Sequence, residues 1–207
     1  SKNDPKKQAA ETSAAMKPPQ KMLLETSNVM NDIAVQCMTT EDVLWFDDLM
    51  QANGIEYHID GGWAVDVLLG EQTREHEDLD IAMPETYTTF LRTLLEKEGF
   101  SEQVRADTWK CNYRLTDGVR LFDIHTYTLN PDGSNKSGVA YEASHFGGKG
   151  KIGGREVPCI NPRTLVEFHT GYPVDENDWH DVKLLCARYT IPIPKDYVKF
   201  QKEAYES

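Results

Sequence analysis

The chain has 207 residues, 39% of them hydrophobic, 10% aromatic and 27% charged, a balance that supports one sizeable buried core and excludes a disordered or fibrous chain. Asp and Glu outnumber Lys and Arg by 34 to 22, giving a formal charge of −12, which disfavours a nucleic-acid partner and favours a neutral or cationic small one. The four cysteines form no C-x-x-C pair, and no apolar run reaches membrane-spanning length or makes a signal-peptide core, so neither a zinc site, a disulfide framework nor a membrane is expected, and the expected location is the cytoplasm.

Residues 1–20 offer almost nothing to bury, and residues 22–38 are only weakly amphipathic. Residues 1–38 are therefore read as an N-terminal extension and 39–207 as the folded domain, with helices from about 161 onward. Thr39 or Thr40 caps a helix that puts Val43, Phe46, Leu49 and Met50 on one face and stops at Gly54. Ile55 to Ile59 alternate like a strand and run into Gly61-Gly62. A short helix from Trp63 to Leu69 follows, ended by Gly70. A second strand covers Asp78 to Met83, and a helix from about Glu85 to Glu98 buries Phe90, Leu91, Leu94 and Leu95.

Asp117-Gly118 between extended runs, Thr108 to Leu115 and Val119 to Thr128, signals a hairpin, with Trp109 and Tyr113 sharing one face of its first strand. Gly147 to Gly154 reads as a mobile loop, because no Ser or Thr follows its Gly-Lys steps and no P-loop frame fits. Asn161-Pro162 opens a helix through Phe168, and a last helix runs from about Asn177 to Tyr189, with Pro192 and Pro194 beyond it. The alternation of strands and helices plus a hairpin gives an α/β (α+β) fold with a mixed sheet and a small helical C-terminal part.

Asp78-Leu79-Asp80-Ile81 carries carboxylates at i and i+2, which a strand turns to one face while Leu79 and Ile81 take the other. In Phe122-Asp123-Ile124-His125 the same alternation sets Asp123 and His125 opposite the apolar pair, so a neighbouring strand can add a third carboxylate. Converging hard-oxygen ligands suit Mg²⁺. A lone D-x-D is commonly a pair of solvated acids, but three aspartates on apolar-flanked strand positions ask for a cation. Gly61-Gly62 at a helix N-terminus lets backbone approach a phosphate, and Arg74 suits a triphosphate. The plainer readings are a tight turn, a surface salt bridge for Arg74 and a structural hydrogen bond for His76.

The run Gly61-Gly62-Trp63-Ala64-Val65-Asp66, Leu69-Gly70, Thr73-Arg74, His76 and Asp78-Leu79-Asp80-Ile81 resembles the antibiotic nucleotidyltransferases of the polymerase β-like superfamily. It is most similar to the small lincosamide nucleotidyltransferases, with aminoglycoside 2″-nucleotidyltransferases as close relatives. His169-Thr170-Gly171-Tyr172, Asp175 to Asp178 and Asp181-Val182 are similar to the lincosamide branch in particular. The resemblance spans about His58 to Pro192 and implies a polymerase β-like core. It implies metal positions at Asp78, Asp80 and Asp123, and nucleotide contacts at Gly61, Gly62 and Arg74; His76, in the same run, is taken as a further nucleotide contact.

By that resemblance the domain at 39–207 is a nucleotidyltransferase domain, using two Mg²⁺ ions and ATP or another NTP to modify a hydroxyl of a small antibiotic. Asp123 accepts or directs the hydroxyl proton, with His125 or Glu167 as possible contributors. His125, His169 and Tyr172 are the candidate acceptor contacts, helix-end packing being the plainer reading for the last two. A homodimer is compatible with this reading. An aminoglycoside acceptor, a protein or RNA-end acceptor, and a non-catalytic nucleotide-binding module are the alternatives.

Overall fold

The computed structural model describes residues 37–206; the expectations for residues 1–36 lie outside the described residues. Helix α1 (Thr40–Ala52) starts at a capping box, in which Thr39 Oγ1 accepts from the Asp42 amide and the Asp42 carboxylate accepts from the Thr39 amide. Val43, Phe46 and Met50 are buried as expected. The first strand, β1 (His58–Asp60), is shorter than expected, because the Ile55 amide still closes the helix end on the Met50 carbonyl. Helix α2 (Gly61–Leu69) follows without a loop and ends at Gly70, whose φ is +89°.

Strand β2 (Leu79–Pro84) leads through a 3₁₀ turn into helix α3 (Thr88–Lys97). That helix buries Leu91 and Leu95 but leaves Phe90 45% exposed, against expectation, since neighbouring residues lie about 100° apart round a helix. Short β3 (Ser101–Gln103) precedes the hairpin of β4 (Asn112–Thr116) and β5 (Leu121–Leu129). Trp109 lies outside β4, pairing with Asn112 in a tight turn, and is 50% exposed, whereas Tyr113 is buried.

After β6 (Asn135–Gly138), the glycine-rich segment is a hairpin rather than a loop, β7 (Gly148–Ile152) with β8 (Arg155–Cys159). Its glycines serve close packing. A Cβ on Gly150 would lie 2.1 Å from the Val67 carbonyl oxygen of α2, and one on Gly148 would lie 2.3 Å from the Ile160 carbonyl oxygen. Helix α4 (Pro162–Phe168) begins at the Asn161 cap, and α5 (Glu176–Tyr189) at a capping box of Asp175 with Asp178. A further helix, α6 (Val198–Glu206), lies beyond the last one expected from the sequence; it packs through Phe200, stacked 5.8 Å from Trp179.

The strands form one mixed sheet in the order β3-β4-β5-β2-β1-β8-β7, with β6 also paired to β5. Strand β2 runs antiparallel to β1 and parallel to β5. Leu79, Ile81, Met83, Phe122 and Ile124 fill the core, where Phe122 meets Phe46 of α1 at 4.7 Å. This leaves Asp80, Ala82, Asp123 and His125 on the opposite face. No helix among the described residues is long and apolar enough to cross a membrane.

Candidate active site

Pairing register puts Asp60, Asp80, Asp123 and Arg114 in one row across β1, β2, β5 and β4, because Asp60 faces Asp80, Asp80 faces Asp123 and Asp123 faces Arg114. Residues directly opposite share a face, so four charged side chains line up on the open side of the sheet. Asp78 stands just before β2, two residues from Asp80. Ligand atoms of Asp80, Asp123 and His125 all lie within 4.8 Å of one another. His125 Nε2 is 3.4 Å from Asp80 Oδ1 and 3.6 Å from Asp123 Oδ1. Arg114 Nη2 bridges the remaining pair, 3.2 Å from Asp123 Oδ2 and 3.4 Å from Asp78 Oδ2.

The electrostatics show an excess of negative charge. Burial, with Asp80 and Asp123 beside it, raises the Asp78 carboxyl to about 7. Burial and Asp80 likewise raise Asp123, against the pull of His125 and Arg114. Burial would lower the His125 imidazole, but Asp123 and Asp80 outweigh it and raise the ring to about 9. A cluster that binds protons this readily has the charge and the oxygen donors for a divalent cation, so the residues fit a Mg²⁺ or Mn²⁺ ion.

The Gly61-Gly62 turn is built against this row. Asp60 caps α2, its Oδ1 accepting from the Gly61 amide at 2.7 Å while its Oδ2 accepts from the Tyr141 hydroxyl at 2.6 Å. Gly61 has φ +63°, and a Cβ there would fall 2.0 Å from Asp80 Oδ2. A Cβ on Gly62 would fall 2.5 Å from Arg74 Nη2 and 2.6 Å from His76 Nδ1. The Asp80 carboxylate and the Arg74 and His76 side chains thus occupy the space that a side chain at either glycine would need.

Behind the turn lies a polar network. Arg74 makes a two-pronged ion pair with buried Asp181, Nε to Oδ1 at 2.8 Å and Nη2 to Oδ2 at 2.7 Å. Burial would raise the Asp181 carboxyl, but Arg74 and His169 hold it at about 2. His76 Nε2 meets the fully buried Asp66 carboxylate at 2.5 Å, and Thr73 donates to the other Asp66 oxygen. His169 is buried in the same region, its Nδ1 2.7 Å from the Leu165 carbonyl oxygen and its Nε2 3.8 Å from Asp181. Tyr172 donates to Asp178 at 2.8 Å. Glu167 lines a different depression, of about 410 Å³, with Arg163, Thr170, Pro192 and Lys195.

The structure therefore gathers Asp78, Asp80, Asp123 and His125 at one locus and Gly61, Gly62, Arg74 and His76 at the adjoining turn. It engages His169 and Tyr172 in the helical packing. Sequence reasoning passes over Arg114, Asp60 and Tyr141, and it marks Asp181 only within the resemblance, without its partner Arg74. Arg114 had a readable signal, since Tyr113 and Leu115 on either side are apolar and alternation leaves Arg114 on the open face. Asp181 shares a helix face with Leu185, and an acid at a core position suggests a buried cationic partner.

The family model for aminoglycoside-2″-adenylyltransferase matches residues 42–185. A lincosamide resistance protein of Staphylococcus haemolyticus is 33% identical over 153 residues, covering 72% of this chain and 94% of the relative. The lincomycin-bound crystal structure of the lincosamide antibiotic adenylyltransferase LnuA superposes with a TM-score of 0.65 at 30% identity, covering 73% of this chain and 99% of that one. ANT(2″)-Ia in complex with adenylyl-2″-tobramycin shares the fold, with a TM-score of 0.58 at 20% identity over 81% of this chain and 98% of that one. With its sheet, its aspartate row and these matches in agreement, the chain belongs to the aminoglycoside-2″-adenylyltransferase family and is a nucleotidyltransferase.

Proposed function

We propose that residues 39–207 form a Mg²⁺-dependent nucleotidyltransferase domain that moves AMP from ATP onto a hydroxyl of a lincosamide antibiotic. The observation that carries the chemistry is the aspartate row of β2 and β5 set against the Gly61-Gly62 turn. Asp78, Asp80 and Asp123 are the residues that would hold two Mg²⁺ ions, with His125 at their edge. Bound metal supplies neutralisation of the triphosphate and of the charge that develops at the α-phosphorus. The backbone amides at the start of α2 and the Arg74 guanidinium offer positive ends to the phosphates. His76 and Asp181 keep that corner rigid by fixing Gly62 and Arg74.

In the transfer the acceptor oxygen forms a bond to the α-phosphorus, the bond to the bridging oxygen of pyrophosphate breaks, and pyrophosphate leaves. Asp123 receives or directs the proton of the attacking hydroxyl. His125, beside Asp80 and Asp123, is the acceptor contact retained in this reading. His169 and Tyr172, whose polar atoms are engaged within the helical part, act on the site through Asp181 and helix packing. A cytoplasmic enzyme without a nucleic-acid partner fits the −12 charge, and a homodimer fits the same reading.

The lincosamide assignment is supported by the 33% identity to a lincosamide resistance protein across 94% of its length. An aminoglycoside acceptor is the second reading, favoured by the description of the family model and by the acidic charge. The test is to incubate the protein with each NTP and with lincosamides and aminoglycosides, and to read adduct masses. An adenylylated lincosamide is expected. Adenylylation of an aminoglycoside alone would overturn the acceptor while leaving the chemistry intact, and pyrophosphate release with neither class would overturn both acceptor readings.

A further inference from the structure

Arg114 sits at the carboxylates without an assigned part in the transfer. Its place is fixed by the register of β4 on β5, which sets it directly opposite Asp123. Its Nη2 then reaches one oxygen of Asp123 at 3.2 Å and one of Asp78 at 3.4 Å, so a single nitrogen is shared by two carboxylates. Tyr113 and Leu115 are buried on either side, which anchors the strand and leaves the guanidinium no route to the core face. A guanidinium keeps its positive charge at every accessible pH and cannot ligate a metal. A divalent cation on the same oxygens would stand within a few ångströms of that charge. The two occupants therefore oppose each other.

We infer that Arg114 is the built-in counter-ion of the metal-free site: it bridges Asp78 and Asp123 until a divalent cation takes their oxygens, and so weakens metal binding in the absence of nucleotide. The inference rests on the proposed use of Asp78, Asp80 and Asp123 for metal. It has two linked consequences. The bridge stabilises the metal-free fold by offsetting repulsion between the two carboxylates. It also raises the concentration at which metal alone binds, so that metal enters most readily together with a nucleotide whose phosphates neutralise the freed guanidinium.

The sign of this effect separates it from a merely supporting role. If Arg114 only holds the carboxylates in place, removing it loosens the ligands and weakens metal binding. If it competes for them, removing it tightens metal binding.

The test is a nucleotide-free titration with Mn²⁺, followed by electron paramagnetic resonance of the free ion, on the wild-type chain, Arg114→Gln and Arg114→Lys. Circular dichroism checks the fold. Arg114→Gln should bind Mn²⁺ about tenfold tighter than the wild type, as expected on removing one partly screened like charge beside the ion. Arg114→Lys, which keeps the charge, should stay near the wild type. In EDTA the Arg114→Gln variant should melt lower, and the gap should close when Mn²⁺ saturates the site. Equal or weaker Mn²⁺ binding by folded Arg114→Gln would overturn the inference.

Should Arg114→Gln not fold in EDTA, the wild type still decides. The side-chain NMR signal of Arg114 should shift on adding Mg²⁺, and an unchanged signal at saturating Mg²⁺ would overturn the counter-ion role. A wild-type chain that binds no Mn²⁺ at all would instead bring down the metal reading on which the inference rests.

Discussion

Substituting alanine for a glycine can separate backbone strain from damage to the site, because two glycines of this chain share a left-handed conformation but not a neighbourhood. Gly61 has φ +63° and Gly70 has φ +89°. At Gly70 an added Cβ meets nothing within 4 Å, so Gly70→Ala should cost only the left-handed strain, roughly 1–2 kcal/mol. At Gly61 the same Cβ falls 2.0 Å from Asp80 Oδ2 and 2.9 Å from Asp80 Cγ, separations that a side-chain Cβ essentially never shows. Gly61→Ala therefore carries a similar strain plus a forced shift of the Asp80 carboxylate of an ångström or more, about 2–4 kcal/mol in all. The larger consequence is chemical, since a misplacement of about 1 Å at a reacting centre costs on the order of a hundredfold in rate. Urea denaturation gives the two stabilities, and pyrophosphate release with an accepted substrate gives the two rates. Gly70→Ala should keep its turnover and Gly61→Ala should lose most of it while remaining folded. Wild-type turnover in Gly61→Ala would refute the claim that the Asp80 carboxylate occupies the space that a side chain at Gly61 would need.

Further expectations concern charge and metal. Activity should vanish in EDTA and return with Mg²⁺ or Mn²⁺, as read by pyrophosphate release; full turnover in metal-free buffer would contradict the carboxylate reading. Asp80→Asn keeps the shape and removes the charge, so turnover should fall by about two orders of magnitude or more with an unchanged circular dichroism spectrum. Asp181→Asn breaks the buried half of the Arg74 pair, where Asp181 is 1% exposed, and should cost on the order of 3 kcal/mol in urea denaturation at pH 7. The sign of its pH dependence follows from a folded value near 2, below the ordinary carboxylate value of about 3.9. The stability supplied by Asp181 is present above about 4 and lost as pH falls from there toward 2, so Asp181→Asn should flatten the acid limb of the stability curve.

The parts of this molecule that could be read from its sequence are those whose reason lies within a few residues. Thr39 and Asp42 cap α1 across three positions, Asn161 and Pro162 open α4, and the alternation in Leu79-Asp80-Ile81 and Phe122-Asp123-Ile124 sorts each side chain to its face. The parts that could not be read have their reasons far along the chain. Gly148 and Gly150 look like a flexible loop because a glycine carries no pattern, yet they are strand residues whose missing side chains admit the Ile160 and Val67 carbonyls. Arg74 was legible as a cation near the turn, while its anchor Asp181 lies 107 residues away and emerges only when α5 packs beside α2. The same holds within the site. The sequence shows that Asp80 and Asp123 each lie on the open face of a strand, but not that β2 and β5 are direct neighbours in register. That pairing, Asp80 opposite Asp123 and Asp60 opposite Asp80, turns separate acidic positions into one row. It also brings Arg114 into the row on the far side of Asp123, so the pairing that concentrates the negative charge delivers the counter-ion with it.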